Sequence, residues 1–337
     1  MKIAIVGAGN IGTAMAALFS SSGDAVTLVA RGARLDTVAR SGVCLDDRGT
    51  LHAGPVTAVP ALGTPQDAVF LCVKAQDLGA AVAANAAGIG PDTLVIPMIN
   101  GLPFWFFYRE GREVPLADPD GLLAAHLRPE QVLGAVLLMT VQMEPSGRAV
   151  STNTPTLSLA SVVEGADMAA VARLIGALNG AGVRTDLSED IHQKVLVKLL
   201  ANIATNPLSA LVGCNLAEIG RNKDLLRLSF ALADEVRAWA VQDLGQALPD
   251  NDWLGALLLD AGDFPTSMLQ DARAGRPLEL DAIARAALTL AGPSRMPLLA
   301  ALVETLSRAS NLPLAGVGAE AALSRLLPLT QPERIQA

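Results

Sequence analysis

The 337-residue sequence is poor in metal-ligating residues and has no cluster of positive charge. Its three cysteines, Cys44, Cys72 and Cys214, lie far apart without a CxxC pair, and its three histidines show no ligand spacing. We therefore expect neither a disulfide nor a metal site. The net charge is -8 and no basic block occurs, which argues against a nucleic acid partner, because clustered lysine and arginine bind phosphate backbones.

The sequence also lacks the marks of export and of membrane insertion. It enters an apolar strand at once, without the basic region and the cleavage site of a signal peptide. No run reaches the roughly 18 uninterrupted apolar residues of a membrane span. We therefore expect a cytoplasmic protein that does not enter a membrane. Since 51% of its residues are hydrophobic, the chain can bury the cores of two domains.

Short apolar runs alternate with helical stretches in the first half of the chain. Such runs predict strands that are buried on both faces of a parallel sheet. They cover residues 2–7, 25–30, 68–73, 93–98 and 132–139. Residues 147–161 predict a hairpin, and residues 167–179 predict a crossover helix after it. The first half is therefore α/β.

From Asp186 onward the pattern changes to long helices bounded by prolines. The predicted helices cover residues 187–205, 222–245, 252–261, 266–274, 279–291 and 296–309. The prolines expected at helix starts or ends are Pro207, Pro249, Pro265, Pro277, Pro293 and Pro297. The sequence predicts a doubly wound α/β domain at residues 1–186 and an all-α domain at residues 187–330.

A glycine-rich motif, GAGNIG, follows the first predicted strand and opens a helix. Gly7 permits a tight turn, Gly9 lets the backbone approach a pyrophosphate, and Gly12 lets the helix pack on the strand. The N-terminus of the helix then faces the phosphate charge. The motif predicts a Rossmann-type dinucleotide site formed by Gly7, Ala8, Gly9, Asn10, Ile11 and Gly12. The alternative is an ordinary strand-to-helix turn.

The residue after the second predicted strand indicates which dinucleotide binds. An NAD site usually has Asp or Glu there for the ribose hydroxyls, whereas this chain has Arg31. A guanidinium suits a 2′-phosphate, so we expect NADP(H), with Arg34 assisting Arg31 or substituting for it. The alternative is that both arginines are solvated loop residues.

Two more polar residues follow apolar strands at the sheet edge where open α/β sheets bind ligands. Lys74 could meet a phosphate or a ribose, and Asn100 could bind the nicotinamide ribose or a substrate hydroxyl. Either residue could instead belong to an ordinary turn, since the pair Asn100-Gly101 is typical of turns.

A lysine and two asparagines interrupt the apolar run VLVKLLANIATNPLS. Together with Lys194, the residues Lys198, Asn202 and Asn206 recur at helical spacing and share one face. One interpretation is the solvated side of an amphipathic helix. The other sides are apolar, however, so we favour the wall of a ligand cleft, where a lysine with a lowered pKa could donate a proton.

Several blocks, in this order, resemble the ketopantoate reductase family. They are GAGNIG, VKAQD, the pair Asn100-Gly101, KLLANIATNP and SMLQDARAGRPLELDAI. The resemblance implies a Rossmann domain followed by a helical domain like that of 6-phosphogluconate dehydrogenase. It also implies NADPH-dependent reduction of a small-molecule 2-oxo acid, 2-dehydropantoate, to (R)-pantoate, a step of pantothenate biosynthesis.

The same resemblance implies a role for each site residue. The roles are catalysis by Lys198 and Glu279, substrate binding by Asn100, Asn202, Asn206 and Ser267, and cofactor binding by Arg31, Lys74, Asn100 and Glu279. From the residues alone, Ser267 could be only a helix N-cap and Glu279 only a surface residue.

An aromatic run at residues 104–108 lies in a long connection after Gly101. Long loops are often functional lids, so this run could border the substrate and alter the choice of 2-oxo acid. It could instead be local packing or the contact of a homodimer.

Two other functions stay open at this point. A 6-phosphogluconate or β-hydroxyacid dehydrogenase would also join a dinucleotide domain to a helical domain with a Lys/Asn helix. A non-catalytic NADP-binding protein would keep the glycine motif but lose the lysine, amide and glutamate set. That set is present in this chain.

Overall fold

The strands and helices described here lie within residues 1–330, the part of the chain that this computed structural model describes. The strands are β1 (Lys2–Val6), β2 (Ala25–Val29), β3 (Val43–Asp47), β4 (Thr50–Gly54), β5 (Thr57–Val59), β6 (Ala68–Leu71), β7 (Leu94–Pro97), β8 (Leu133–Leu138), β9 (Val141–Met143), β10 (Ala149–Ser151), β11 (Thr156–Ser161) and β12 (Arg184–Leu187).

The α-helices begin at the glycine motif and dominate the second half of the chain. They are α1 (Asn10–Ser21), α2 (Gly32–Ser41), α3 (Leu78–Ala84), α4 (Leu122–His126), α5 (Met168–Gly180), α6 (Ile191–Val212), α7 (Leu216–Arg221), α8 (Lys223–Leu244), α9 (Asn251–Asp260), α10 (Ser267–Arg273), α11 (Ala286–Ala291), α12 (Pro297–Arg308) and α13 (Val317–Leu326). A π-helical turn, Asp281–Arg285, leads directly into α11.

A five-stranded parallel sheet, in the order β5-β2-β1-β6-β7, forms the centre of the N-terminal half. Every residue of β6 and β7 is buried, as is every residue of β1 after Lys2. Continuous apolar runs are typical of strands that are covered on both faces, which is why the sequence predicts these strands well. The predicted α/β class of this half is confirmed.

Two smaller sheets correct the sequence prediction. Their strand orders are β4-β3-β10-β9 and β12-β11-β8. The hairpin predicted at 147–161 is wrong, because β10 pairs with β3 and β9 while β11 pairs with β8 and β12. The run at 132–139 does form a strand, β8, but that strand is antiparallel to β11 and lies outside the parallel sheet.

The second half is helical, as predicted, with α8, α9, α10 and α12 close to their expected bounds. Pro207 is an exception, because it lies inside α6 rather than at its end. Proline removes one helical hydrogen bond, but residues 203–211 are all buried, and this packing holds the helix together. The region 279–291 contains the π-helical turn before α11, and both α7 and α13 were not predicted.

One helix within residues 1–330, α6, is long and apolar enough to cross a membrane by length and composition. Of the 18-residue stretch of α6 that is apolar enough, 72% is buried inside the structure. This burial is typical of the core helix of a folded domain.

Contacts between Cα atoms divide the chain into two units. Within the described residues, the first unit contains Met1–Ile99, Pro103–Val114 and Asp118–Ile191, and the second contains Asn100–Leu102, Pro115–Ala117 and residues 192–330. Asn100 therefore belongs with the helical unit, although it lies in the N-terminal part of the sequence.

Candidate active site

The glycine motif forms a tight turn between β1 and α1 in the first unit. Gly7 has a φ of +105°, and a Cβ there would lie 2.6 Å from the carbonyl oxygen of Cys72. A Cβ at Gly12 would lie 1.8 Å from the carbonyl oxygen of Gly7. Both positions therefore require glycine because the backbone packs so closely.

Gly9 faces open space, unlike the other two glycines of the motif. A Cβ at Gly9 would meet no atom within 4 Å among the described residues, and Gly9 is the N-cap of α1. The first N–H groups of a helix lack helical partners and attract anions. The turn has the shape and the donors that a pyrophosphate needs.

Arg31 and Lys74 lie at the carboxyl ends of parallel strands in the same unit. Arg31 follows β2, is exposed, and is the N-cap residue of α2. Lys74 follows β6 and is partly buried. Both cations lie at the strand ends where open α/β sheets bind their ligands.

Lys198 lies on α6 in the second unit, on a helix that is buried along most of its length. Of the residues of α6, only Gln193 is exposed, so the helix does not present a solvated side. Burial lowers the pKa of Lys198 to about 8, and the carboxylate of Glu279 opposes this shift. A lysine with such a pKa holds its proton at neutral pH but can release it readily.

Glu279 is buried, with 5% of its surface exposed, so the alternative that it is a surface residue is wrong. It lies just before the π-helical turn Asp281–Arg285, and its carbonyl oxygen accepts a hydrogen bond from the N–H of Ile283. A buried carboxylate is stabilised when a cation lies nearby, and the Lys198 ammonium provides that charge. The structure therefore brings Lys198 and Glu279 together.

Asn202 and Asn206 continue the polar face of α6 beyond Lys198. The amide nitrogen Nδ2 of Asn202 is buried and has no hydrogen-bond partner among residues 1–330. Leaving such a donor unpaired costs about 1–3 kcal/mol, a cost that a hydrogen bond to a ligand would remove. Asn206 is buried, and its Oδ1 accepts a hydrogen bond from the hydroxyl of Thr205.

Ser267 is the first residue of α10, and the alternative that it is the N-cap is wrong. The N-cap is Thr266, whose Oγ1 accepts a hydrogen bond of 3.1 Å from the N–H of Leu269. The Thr266 hydroxyl also lies 3.0 Å from the Oγ of Ser209 on α6. Thr266 and Ser209 are both buried, and their contact fixes the start of α10 against α6.

Asn100 is held in the second unit by its neighbours Gly101 and Leu102. The N–H of Leu102 donates a 2.8 Å hydrogen bond to the carbonyl oxygen of Ala282, within the π-helical turn. Gly101 has a φ of +86°, and a Cβ there would lie 2.3 Å from the same oxygen. Asn100 therefore adjoins the turn that follows Glu279.

The aromatic run at 104–108 packs within the first unit. Trp105 and Phe107 are each only 1% exposed, and the Trp105 ring lies against the backbone of Gly134. The guanidinium of Arg112 lies 4.0 Å from the centre of the Phe107 ring. Trp105 has no free surface for a substrate, so the interpretation of local packing replaces that of a substrate wall.

The predicted site residues thus form two groups, one in each unit. The first unit carries the glycine motif, Arg31 and Lys74, and the second unit carries Lys198, Glu279, Asn100, Asn202, Asn206 and Ser267. Sequence reasoning missed Thr13, Ser209 and Thr266, which are small buried hydroxyls. The sequence marks them only as polar residues within an apolar helix or beside a proline. Such residues are common in ordinary protein cores, so they do not indicate a site.

Two family models match this chain. The model described as ketopantoate reductase PanE/ApbA matches residues 3–163, and its C-terminal counterpart matches residues 190–309. A curated 2-dehydropantoate 2-reductase from Mesorhizobium japonicum is 34% identical over an alignment that covers 85% of this chain and 90% of the relative.

Solved structures share the whole fold. One from Ralstonia solanacearum MolK2, described as a ketopantoate reductase, is 28% identical with a TM-score of 0.79, and the match covers 98% of this chain and 97% of that one. A D-mandelate dehydrogenase solved in complex with NADH is 22% identical with a TM-score of 0.74, over 91% of this chain and 98% of that one. The latter similarity is one of fold.

Proposed function

The chain belongs to the ketopantoate reductase family, and we propose that it uses NADPH to reduce 2-dehydropantoate to (R)-pantoate, a step of pantothenate biosynthesis in the cytoplasm. As a member of this family it is an oxidoreductase that acts on a CH–OH group. The observation that carries the proposal is that Lys198, a lysine of lowered pKa, lies beside the buried carboxylate of Glu279.

Lys198 acts as the general acid in this proposal. Reduction of a ketone generates an alkoxide, which needs a proton from a nearby group, and the Nζ of Lys198 provides it. The best catalytic acid has a pKa near the working pH, and a pKa of about 8 meets this condition. The carboxylate of Glu279 keeps the lysine protonated between turnovers.

The amides and Ser267 orient the substrate. The unpaired Nδ2 of Asn202 donates a hydrogen bond to a substrate oxygen, which removes the cost of burying that donor. Asn206, one turn further along α6, Ser267 at the start of α10 and Asn100 beside the π-helical turn would hold the remaining polar atoms of the 2-oxo acid. Such positioning lowers the barrier because the reacting atoms are already aligned.

Groups in the first unit support NADPH as the cofactor. The open face of Gly9 and the N-terminus of α1 suit the pyrophosphate, the exposed guanidinium of Arg31 suits the 2′-phosphate, and Lys74 offers a second cation. A bound NADPH supplies the hydride for the ketone carbon.

A panel of 2-oxo acids tests the proposal. The purified chain is mixed with NADPH or NADH and with 2-dehydropantoate, pyruvate, 2-oxoisovalerate or phenylglyoxylate, and the loss of nicotinamide absorbance is followed. We expect the highest kcat/KM with 2-dehydropantoate and NADPH. Faster reduction of another 2-oxo acid would keep the chemistry but replace the substrate, and no oxidation of either cofactor with any acid would refute the enzyme assignment.

A further inference from the structure

Arg34 does not extend into solvent from α2, as a charged helix residue usually would. Its Nε donates to the carbonyl oxygen of Ala8 at 3.2 Å, and its Nη2 donates to the hydroxyl of Thr13 at 2.8 Å. Ala8 is the second residue of the glycine motif, and Thr13 follows the motif on α1. The guanidinium therefore contacts the turn that the cofactor would use.

Thr13 closes this arrangement into a triangle. Its Oγ1 donates a 3.2 Å hydrogen bond to the carbonyl oxygen of Ala8, and Thr13 is fully buried. The Ala8 oxygen thus accepts from two side chains, which matches its two lone pairs. A carbonyl held in this way cannot rotate without losing both hydrogen bonds.

The orientation of the Ala8 carbonyl also fixes the direction of the next N–H group, that of Gly9. In a planar trans peptide, the C=O of one residue and the N–H of the next point in opposite directions. Holding the Ala8 oxygen against Arg34 and Thr13 therefore turns the N–H of Gly9 toward the opposite side. Gly9 is the residue of the motif whose Cβ position is open.

A second element stabilises the same turn. Arg34 Nη2 lies 3.4 Å from the carbonyl oxygen of Gly147, in the turn between β9 and β10, and the Nδ2 of Asn10 donates a 3.0 Å hydrogen bond to the carbonyl oxygen of Val141 in β9. Burial also lowers the pKa of Arg34, as expected for a guanidinium partly withdrawn from water. Both contacts hold the glycine turn against the sheet that contains β9 and β10.

We propose that Arg34 is a positioning residue that orients the Ala8–Gly9 peptide for the cofactor pyrophosphate, and that Arg31 rather than Arg34 binds the 2′-phosphate. This inference rests on the proposed use of NADPH. Arg34 donates to the protein itself, whereas Arg31 is exposed at the N-terminus of α2. The two arginines, three residues apart, thus have different tasks.

The two tasks predict different effects on the two cofactors. NADPH and NADH share the pyrophosphate but differ in the 2′-phosphate, so loss of Arg34 should weaken both cofactors by the same factor, roughly 10-fold. Loss of Arg31 should weaken NADPH by about the same factor and leave NADH unchanged. The ratio of the two dissociation constants therefore separates the two roles.

The experiment measures the Kd of NADPH and of NADH for the parent, Arg34→Met, Arg31→Met and Arg40→Met. Methionine keeps the aliphatic stem and the helix propensity, and Arg40, exposed in the last turn of α2, controls for the loss of one charge. We expect Arg40→Met to match the parent, and Arg34→Met to raise the KM for NADPH by a larger factor than it lowers kcat. Thr13→Val added to Arg34→Met should weaken binding little further, because both act on one carbonyl.

Several results would overturn the inference. A selective loss of NADPH binding in Arg34→Met would make Arg34 a ligand of the 2′-phosphate, and unchanged binding of both cofactors would leave it without a role in binding. If Arg34→Met is unstable, Arg34→Lys replaces it, because lysine keeps the charge but not the forked geometry. The ratio of the Kd of NADPH to the Kd of NADH then separates positioning of the turn from binding of the 2′-phosphate. A parent protein that binds neither cofactor would refute the proposed function itself, before any variant is compared.

Discussion

Burial lowers the pKa of Lys198 to about 8, and the buried carboxylate of Glu279 acts in the opposite direction. Neither residue is unusual by itself, since lysines and glutamates are common on helices. Their combination is unusual because Glu279 is buried and Lys198 is only partly exposed, both within the helical unit. Perturbed titration of this kind is typical of groups that transfer protons.

The pH dependence of reduction should report this pair. Lys198 can donate only while it is protonated, so kcat should be constant below its pKa of about 8 and should fall as the pH rises through that value. Glu279→Gln removes the charge that raises the pKa, so the fall should begin at a lower pH. The exposed Glu320, changed to Gln, is the control and should leave the profile unchanged. An identical profile in Glu279→Gln and the parent would show that the two groups are not coupled.

Asn202 should contribute to binding at the expense of stability. Its buried Nδ2 has no partner within residues 1–330, so Asn202→Leu should leave the free energy of unfolding unchanged or raise it by roughly 1 kcal/mol. The same change should raise the KM for the 2-oxo acid by roughly 10-fold. Urea unfolding and steady-state kinetics measure the two effects.

Asn85 provides the matched contrast for this prediction. It is buried with both amide atoms bonded, since Oδ1 accepts from the N–H of Leu62 at 2.9 Å and Nδ2 donates to the carbonyl oxygen of Ala81 at 2.8 Å. Asn85→Leu should therefore lower the free energy of unfolding by about 1–3 kcal/mol. If Asn202→Leu destabilises the protein as much as Asn85→Leu does, Asn202 has a structural role.

Gly101→Ala should disturb Asn100 more than an ordinary glycine substitution would. The new Cβ would lie 2.3 Å from the carbonyl oxygen of Ala282, and the φ of +86° is unfavourable for alanine. Gly111→Ala is the control, because Gly111 also has a positive φ, of +63°, but its Cβ would meet no described atom within 4 Å. We expect Gly111→Ala to cost only the strain of about 1–2 kcal/mol, and Gly101→Ala to cost more and to lower kcat/KM as well. Equal stability of the two variants would contradict the close contact.

Trp105 should matter for stability rather than for the choice of substrate. Its side chain is 1% exposed, so Trp105→Ala should lower the free energy of unfolding by roughly 3–5 kcal/mol. The ranking of 2-oxo acids by kcat/KM should stay that of the parent at a temperature where the variant is folded. A changed ranking would support the alternative interpretation, in which the aromatic run borders the substrate.

Sequence reasoning succeeded where the structural signal is local. Lys198, Asn202 and Asn206 lie on one helix, so their common face follows from helical spacing, and β1, β6 and β7 are continuous apolar runs. It failed for β10 and β11, because strand partners far away in sequence decide which strands pair. It also failed for Pro207, because tertiary packing stabilises α6 beyond the point where local propensity would end it.

The site follows the same division. The glycine motif and the lysine are visible as patterns, whereas the hydrogen bonds of Arg34 to Ala8 and Thr13 join a side chain to a backbone carbonyl and a buried hydroxyl across two elements. The spacing of residues along the sequence does not predict such contacts. For the same reason the contact between Thr266 and Ser209, which fixes the start of α10, was not foreseen.

The turnover of Lys198→Met, compared with Lys194→Met, tests the central claim most directly. Methionine keeps the length and the helix propensity of lysine but has no proton to give, and Lys194 lies one turn earlier on the same face of α6. We predict that kcat with the best 2-oxo acid falls by about 10²- to 10⁴-fold in Lys198→Met, while the Kd of NADPH stays that of the parent and Lys194→Met loses far less activity. A Lys198→Met protein that reduces the substrate as fast as the parent would show that this lysine is not the proton donor.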